Sequence, residues 1–228
     1  TVDLIVEKHR LHMTKFFKYQ GLGNDFILFD FLKTSQSTEI IRNLIFQAKE
    51  LCDRRIGIGA DGIVIILPSS QNNLVRMVII NSDGSEPEMC GNGIRCLIKY
   101  LNDINLININ TDYQIETKAG LIKASIDSDG LITVDMGKPI LSPVQIPTNF
   151  TATRSNVPYG VIRYKDLNLD VYALSMGNPH AIIYTKGSEL SLSQIGPFIE
   201  TNENFPLKTN VHLVEVIDDS TLSVRVWE

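Results

Sequence analysis

The chain has 228 residues, 43% of them apolar and 21% charged, with a net charge of −5 at neutral pH. That length supports one large domain or two small ones, each with a core of its own. The mildly acidic balance argues against nucleic-acid and anionic-membrane partners, and no apolar run approaches the roughly 18 residues of a membrane span.

Thr1–Met13 has neither a signal peptide's apolar centre nor a transit peptide's Arg/Ser bias. Met13 reads as a natural start, so this stretch is expected to be an N-terminal extension or tag. Lys15–Tyr19 and Phe26–Phe31 read as strands around a Gly-Leu-Gly-Asn-Asp turn. Ser37–Leu51 has helical spacing, with Ile40, Ile41, Leu44, Ile45, Ala48 and Leu51 on one side. "GIVIILP" and "LVRMVIIN" are short buried strands. Ile94–Leu101 is a helix whose apolar stripe, Ile94, Leu97, Ile98 and Leu101, leaves only Arg95 and Lys99 as obvious polarity. Gln114–Ile126 and Leu131–Met136 are expected strands joined by the turn "DSDG". Further strands follow: "YGVIRY", "LDVYALSM", "HAIIYT", "NVHLVEVID" and "LSVRVWE". Two halves, 14–136 and 137–228, are expected, with the change near Asp135–Pro143.

The halves echo each other. "LGNDFILFD" (22–30) and "MGNPHAIIY" (176–184) share an apolar-Gly-Asn start and a period-two strand. "MVIIN" (77–81) and "VRVWE" (224–228) follow in each copy about fifty residues later. Such a repeat suggests an old duplication with a site between two similar halves.

Three cysteines, Cys52, Cys90 and Cys96, without CxxC spacing argue against a disulfide framework or zinc cluster and for a reducing compartment. Cys90 precedes Gly91-Asn92-Gly93 at a helix start, where backbone N–H groups favour a thiolate. It is either a small buried residue or a nucleophile and proton-transfer base with a lowered thiol pKa. Cys52 and Cys96 read as packing. "GLGND" and "GIGADG" resemble phosphate loops, but each is followed by a strand rather than a helix, and GK[ST] is absent. Asn24, Asn81, Asn92, Asn178 and Asn210 sit at strand or turn edges, where Asx turns explain any one of them. Together they would suit a small zwitterion, since an amide accepts from an ammonium and donates to a carboxylate. His180 is either structural or a group that orients or deprotonates a thiol.

The segments "KYQGLGNDFILFD", "CDRRIGIGADGIVII", "INSDGSEPEMCGNGIRC", "SMGNPHAIIY", "FPLKTNVHLVEV" and "VRVWE" resemble, in that order, the diaminopimelate epimerase family. The resemblance implies an α/β (mixed α+β) fold of two pseudo-symmetric domains, each a mixed sheet wrapped around a central helix. It implies a cytoplasmic isomerase that interconverts LL- and meso-diaminopimelate by two-cysteine proton transfer, without cofactor or metal. Its partner would be that small amino acid, and a homodimer is compatible with it. By the same resemblance, Cys90 is one of the two catalytic cysteines, His180 its assisting base, and Glu228 the residue that assists the second cysteine. Asn24, Asn81, Gly91, Asn92, Asn178 and Asn210 fall on substrate-contact positions. Some relatives carry a substrate-contacting Gln where this chain has Gly62.

Nine positions separate Asn81 from Cys90, so the second cysteine would fall about nine residues after Glu228. The second half is therefore expected to be incomplete and to leave apolar sheet surface uncovered. Alternatives are a proline- or hydroxyproline-type epimerase, a phenazine-type isomerase, and an inactive truncated fragment.

Overall fold

The computed structural model describes residues 15–33, 37–71, 74–186 and 190–227. Glu228 and the expected N-terminal extension lie outside the described residues. Two compact units are present, one ending at Met136 and one beginning at Gly137. Among the described residues no helix is long and apolar enough to cross a membrane.

In the first unit β1 (Phe16–Gly21) and β2 (Asn24–Asp30) form a hairpin, and α1 (Ser37–Cys52) leads to β3 (Gly62–Leu67). Strand β3 pairs parallel to β2 and antiparallel to β4 (Val75–Asn81). After α2 (Gly91–Asp103), β5 (Tyr113–Thr117) runs parallel to β4. β6 (Gly120–Ile126) and β7 (Ile132–Val134) complete a seven-stranded mixed sheet in sequential order.

"GIVIIL" shows no alternation because both faces of β3 are buried, as in sheets covered on both sides. Ile27, Phe29, Ile63 and Ile65 pack in one core with Leu44, Ala48 and Leu51 of α1. Phe26, Leu28, Val64 and Ile79 pack in another with Ile94, Leu97, Ile98 and Leu101 of α2. Those four α2 side chains are fully buried, each contributing about 1.5–3 kcal/mol. α2 also touches β1, β6 and β7, so the sheet curls around it. The one buried hydroxyl on its stripe is satisfied, since Tyr100 donates to Asp30 Oδ2 at 2.6 Å.

The second unit carries β8 (Ala152–Arg154), β9 (Val157–Tyr164), β10 (Leu167–Ser175) and β11 (Pro179–Tyr184), each antiparallel to the last. α3 (Leu192–Glu200) then leads to β12 (Asn210–Val216), parallel to β11, and β13 (Leu222–Trp227) closes the six-stranded sheet at its edge. The succession β10-β11-α3-β12-β13 repeats β1-β2-α1-β3-β4 in strand order and direction.

One face of this sheet, with Val171, Ala173, Ala181, Ile183, Val211 and Leu213, packs with Ile195 and Ile199 of α3. The helix sits close because Gly196 has no side chain: a Cβ there would lie 2.4 Å from Trp227 Cγ. Alanine would gain up to about 1 kcal/mol of helix propensity, but overpacking costs about 1–3 kcal/mol. Gly196→Ala should therefore destabilise the fold by up to about 2 kcal/mol net, read as a lower urea midpoint. An unchanged or raised midpoint would show that this contact does not set the packing distance.

The opposite face is treated differently. By register it carries His180 and Tyr184, His212 and Val216, and Leu222, Val224 and Val226. Tyr184, Val216, Leu222, Val224 and Val226 are exposed.

Some boundaries differ from the sequence reading. α2 begins at Gly91 rather than Ile94, and Gln114–Ile126 is two strands divided at Lys118–Ala119. β8 and α3 were not anticipated. β8 is exposed throughout, so it has no alternation to read. α3 contains Pro197 and Gly196, both poor helix formers, and is held by its packing on the sheet.

Candidate functional site

In the first unit the candidate residues gather at one end of the sheet. Asn24 opens β2, Asn81 closes β4 opposite Gly62, and Gly62 opens β3 beside Phe26. Gly21, paired with Asn24, approaches the start of α2 so closely that a Cβ on it would lie 3.4 Å from Asn92 O.

Cys90 caps α2. It is extended (φ −145°, ψ 114°), and its Sγ accepts the Gly93 N–H at 3.4 Å. The thiol thus occupies the place usually taken by a Ser or Asp oxygen, against the positive end of the helix. Gly93 permits this fit, since a Cβ there would stand 3.0 Å from Ile79 Cδ1. Gly91 likewise lies against Met136, whose Sδ would be 3.1 Å from an added Cβ. None of the three cysteines is in a disulfide; Cys90 is half-buried, whereas Cys52 and Cys96 are buried. Burial pushes the Cys52 thiol up to about 11 and the Cys96 thiol up to about 12.

The asparagines of this unit are held by neighbours. Asn24 Nδ2 donates to Asp61 Oδ2 at 2.9 Å, and the Asp25 N–H donates to the same oxygen at 2.9 Å. Arg54 bridges Asp25 and Asp61, and Lys18 adds a second cation 3.0 Å from Asp25. The Arg54 hydrogen bond foremost holds the Asp25 carboxyl far below the usual carboxylate range. Asn81 Nδ2 donates to Ser85 Oγ at 2.9 Å, and Asn92 Oδ1 accepts from Arg95 at 2.7 Å. A cavity of about 460 Å³ beside the β1–β2 turn is lined by Lys18, Tyr19, Gln20, Gly23, Asp25 and Arg54, and not by Cys90.

Gly62 leaves little room for a side chain. A Cβ there would lie 2.7 Å from Ile80 O and 3.3 Å from the Phe26 ring.

In the second unit Asn178, His180 and Asn210 also meet at one sheet end. β10 turns into β11 through Met176–Asn178, with Gly177 at φ +106°, a conformation that favours glycine. His180 pairs with Asn210 across β11 and β12. Its Nε2 lies 2.9 Å from Asn178 Oδ1, and its Nδ1 lies 2.8 Å from His212 Nε2. Burial foremost, with His212 second, lowers the His180 pKa to about 4. Burial also lowers that of His212. Both rings are therefore neutral at pH 7.

His212 was missed by sequence reasoning. The available signal was "NVH": with a period of two, His212 shares a face with Asn210. Among the described residues no group of three His, Cys, Asp or Glu side chains is placed to hold a metal ion.

Known proteins resemble this chain over most of its length. The family model described as diaminopimelate epimerase matches residues 16–142. The diaminopimelate epimerase of Prochlorococcus marinus (strain NATL1A) is 54% identical over 214 residues, 93% of this chain and 75% of that protein. The diaminopimelate epimerase of Synechococcus elongatus is 45% identical over 94% of this chain and 75% of its own length. In fold, the chain is similar to a hydroxyproline epimerase from Agrobacterium vitis solved with bound trans-4-hydroxy-L-proline. The TM-score is 0.62 at 13% identity, with 92% of this chain and 69% of that one covered.

Proposed function

This chain belongs to the diaminopimelate epimerase family, and from that premise we propose that it acts on the α-carbon of diaminopimelate, with Cys90 as the base on one face. The observation that carries this reading is the thiol at the α2 N-cap, accepting from Gly93 N–H. A carbon acid this weak needs a base in contact with its proton and positive charge near the carboxylate. The first turn of α2 offers both: the Cys90 sulfur, and the N–H groups of Gly91 and Asn92 at the positive helix end.

In the forward step the Cys90 thiolate removes the α-proton, the C–H pair stays on carbon as a carboxylate-stabilised carbanion, and the sulfur becomes a thiol. Asn24, Asn81, Asn92, Asn178 and Asn210 are assigned to the substrate's amino and carboxylate groups. Each is already fixed at a strand or helix end, which reduces the entropy of gripping a small ligand. His180 is assigned to support the thiolate, and Glu228 to support the second acid–base group.

Alkylation tests both the thiol and the substrate class. At pH 8 a thiol titrating at about 11 is ionised about once in a thousand molecules. Iodoacetamide should therefore label Cys90 at least about tenfold faster than Cys52 or Cys96. meso-Diaminopimelate should protect Cys90, and trans-4-hydroxy-L-proline should not. Equal labelling of the three thiols would remove the nucleophile assignment. Protection by the cyclic amino acid alone would shift the substrate to the proline type.

A further inference from the structure

The geometry points to His212 as a positioning residue that fixes which ring nitrogen of His180 carries its proton. The inference rests on the assignment of His180 to the site, and it deepens that assignment. Asn178 Oδ1 is an amide oxygen and can only accept, so His180 Nε2, 2.9 Å away, carries the hydrogen. A neutral imidazole then has its lone pair on Nδ1, where His212 Nε2 stands at 2.8 Å and must donate. The two rings are tilted by 54° with centroids 4.9 Å apart, an edge contact along the hydrogen bond rather than a stack.

The backbone holds this pair in place. His180 and Asn210 are direct partners on parallel strands, so His212 lies two residues along β12 on the same face. On the other side of His180, β10 offers Leu174 as its register partner, with Tyr172 two pairs further along on the same face. Val226 of β13 stands opposite His212. Neither Leu174 nor Val226 can supply a proton to Nδ1, and the Tyr172 hydroxyl lies against Arg154 Nη1 at 3.3 Å, so the donor within reach of Nδ1 is His212.

The chemical consequence is that His180 meets its surroundings on the Asn178 side with an N–H, not with a lone pair. That N–H is engaged by Asn178 Oδ1, so donation to an anion, a thiolate or a substrate carboxylate requires sharing it with the amide oxygen, and on this side the ring has no lone pair with which to act as a base. A net hydrogen bond of ordinary strength biases such a tautomer equilibrium roughly fivefold.

The test is two-bond ¹H–¹⁵N NMR of the ¹⁵N-histidine-labelled full chain at pH 7.5, with peaks assigned by single substitution. His180 and His212 should both be Nε2–H tautomers. His212→Leu removes the donor, and the excess of the His180 Nε2–H form should fall roughly fivefold. His212→Gln, whose amide N–H reaches the same nitrogen, should restore it. An unchanged His180 tautomer in the leucine variant would reduce His212 to packing. An Nδ1–H His180 in the unsubstituted chain would overturn the proposal outright, and that measurement stands even where the leucine variant does not fold. No substrate is involved, so this result and the alkylation result can fail separately.

Discussion

Replacing Cys90 with alanine should remove exchange of the α-hydrogen of diaminopimelate with deuterated water, a loss of about 10²–10⁴-fold, which is what a positioned general base contributes. Serine should do no better, because an alcohol in the same place is not ionised near neutral pH. The comparison that gives this meaning is internal. Cys52, the last residue of α1, and Cys96, within α2, each face a core. Burial pushes both thiols up to about 11 and about 12, so both stay protonated at working pH. Alanine at either position should leave exchange per folded molecule within about twofold, with the cost appearing as lost stability from the vacated volume. NMR of substrate in deuterated buffer measures exchange, and a urea titration of each variant measures the folded fraction. Undiminished exchange in Cys90→Ala would end the assignment of this thiol as the base.

The second large effect is stereochemical. Inversion at carbon needs one group to remove a proton and another, on the opposite face, to return one. Within these 228 residues the thiols are Cys52, Cys90 and Cys96, and two of them are enclosed in cores. The polypeptide of these residues alone should therefore exchange the α-hydrogen of one stereoisomer slowly and with retention. The opposite stereoisomer should form in fewer than about one in a hundred exchange events, since loss of a positioned acid costs at least about 10²-fold. The same NMR experiment reads both numbers, from deuterium incorporation and from the resolved LL and meso signals. Inversion at a rate comparable with exchange would show that a second thiol is dispensable, and the two-base mechanism would be wrong for this chain.

The sequence was most legible where burial is one-sided and periodic. The stripe Ile94, Leu97, Ile98 and Leu101 announces α2 because all four positions face one core. The alternation in "LDVYALSM" announces β10 because Val171 and Ala173 are buried beside partly exposed Tyr172 and Leu174. Legibility failed where tertiary contacts override local preference. α3 forms around Gly196 and Pro197 because Trp227 receives the glycine, and the tryptophan lies 31 positions away. The start of α2 lies three residues before the apolar stripe because Gly91, Asn92 and Gly93 are poor helix formers, held by the Cys90 sulfur that accepts from Gly93 as a serine oxygen would. The glycine-flanked thiol was visible as a candidate from its neighbours alone. His212 was not, because its partner is 32 residues distant and is reached only through the parallel register of β11 and β12.

The outer strand of the second sheet has a consequence for the bench. β13 is the last strand in its order, and its exposed Leu222, Val224 and Val226 lie beside a row of main-chain groups that face no further strand among the described residues. An apolar, β-prone edge of this kind templates pairing with another molecule. Sulfate and phosphate, which are excluded from protein surfaces, make it still less favourable to keep such a patch wet. Solutions of the polypeptide of these 228 residues alone that stay clear in dilute chloride buffer should then turn cloudy on salting-out at modest sulfate. Light scattering will register that before any rate does, so the rates described above belong in dilute protein and low salt.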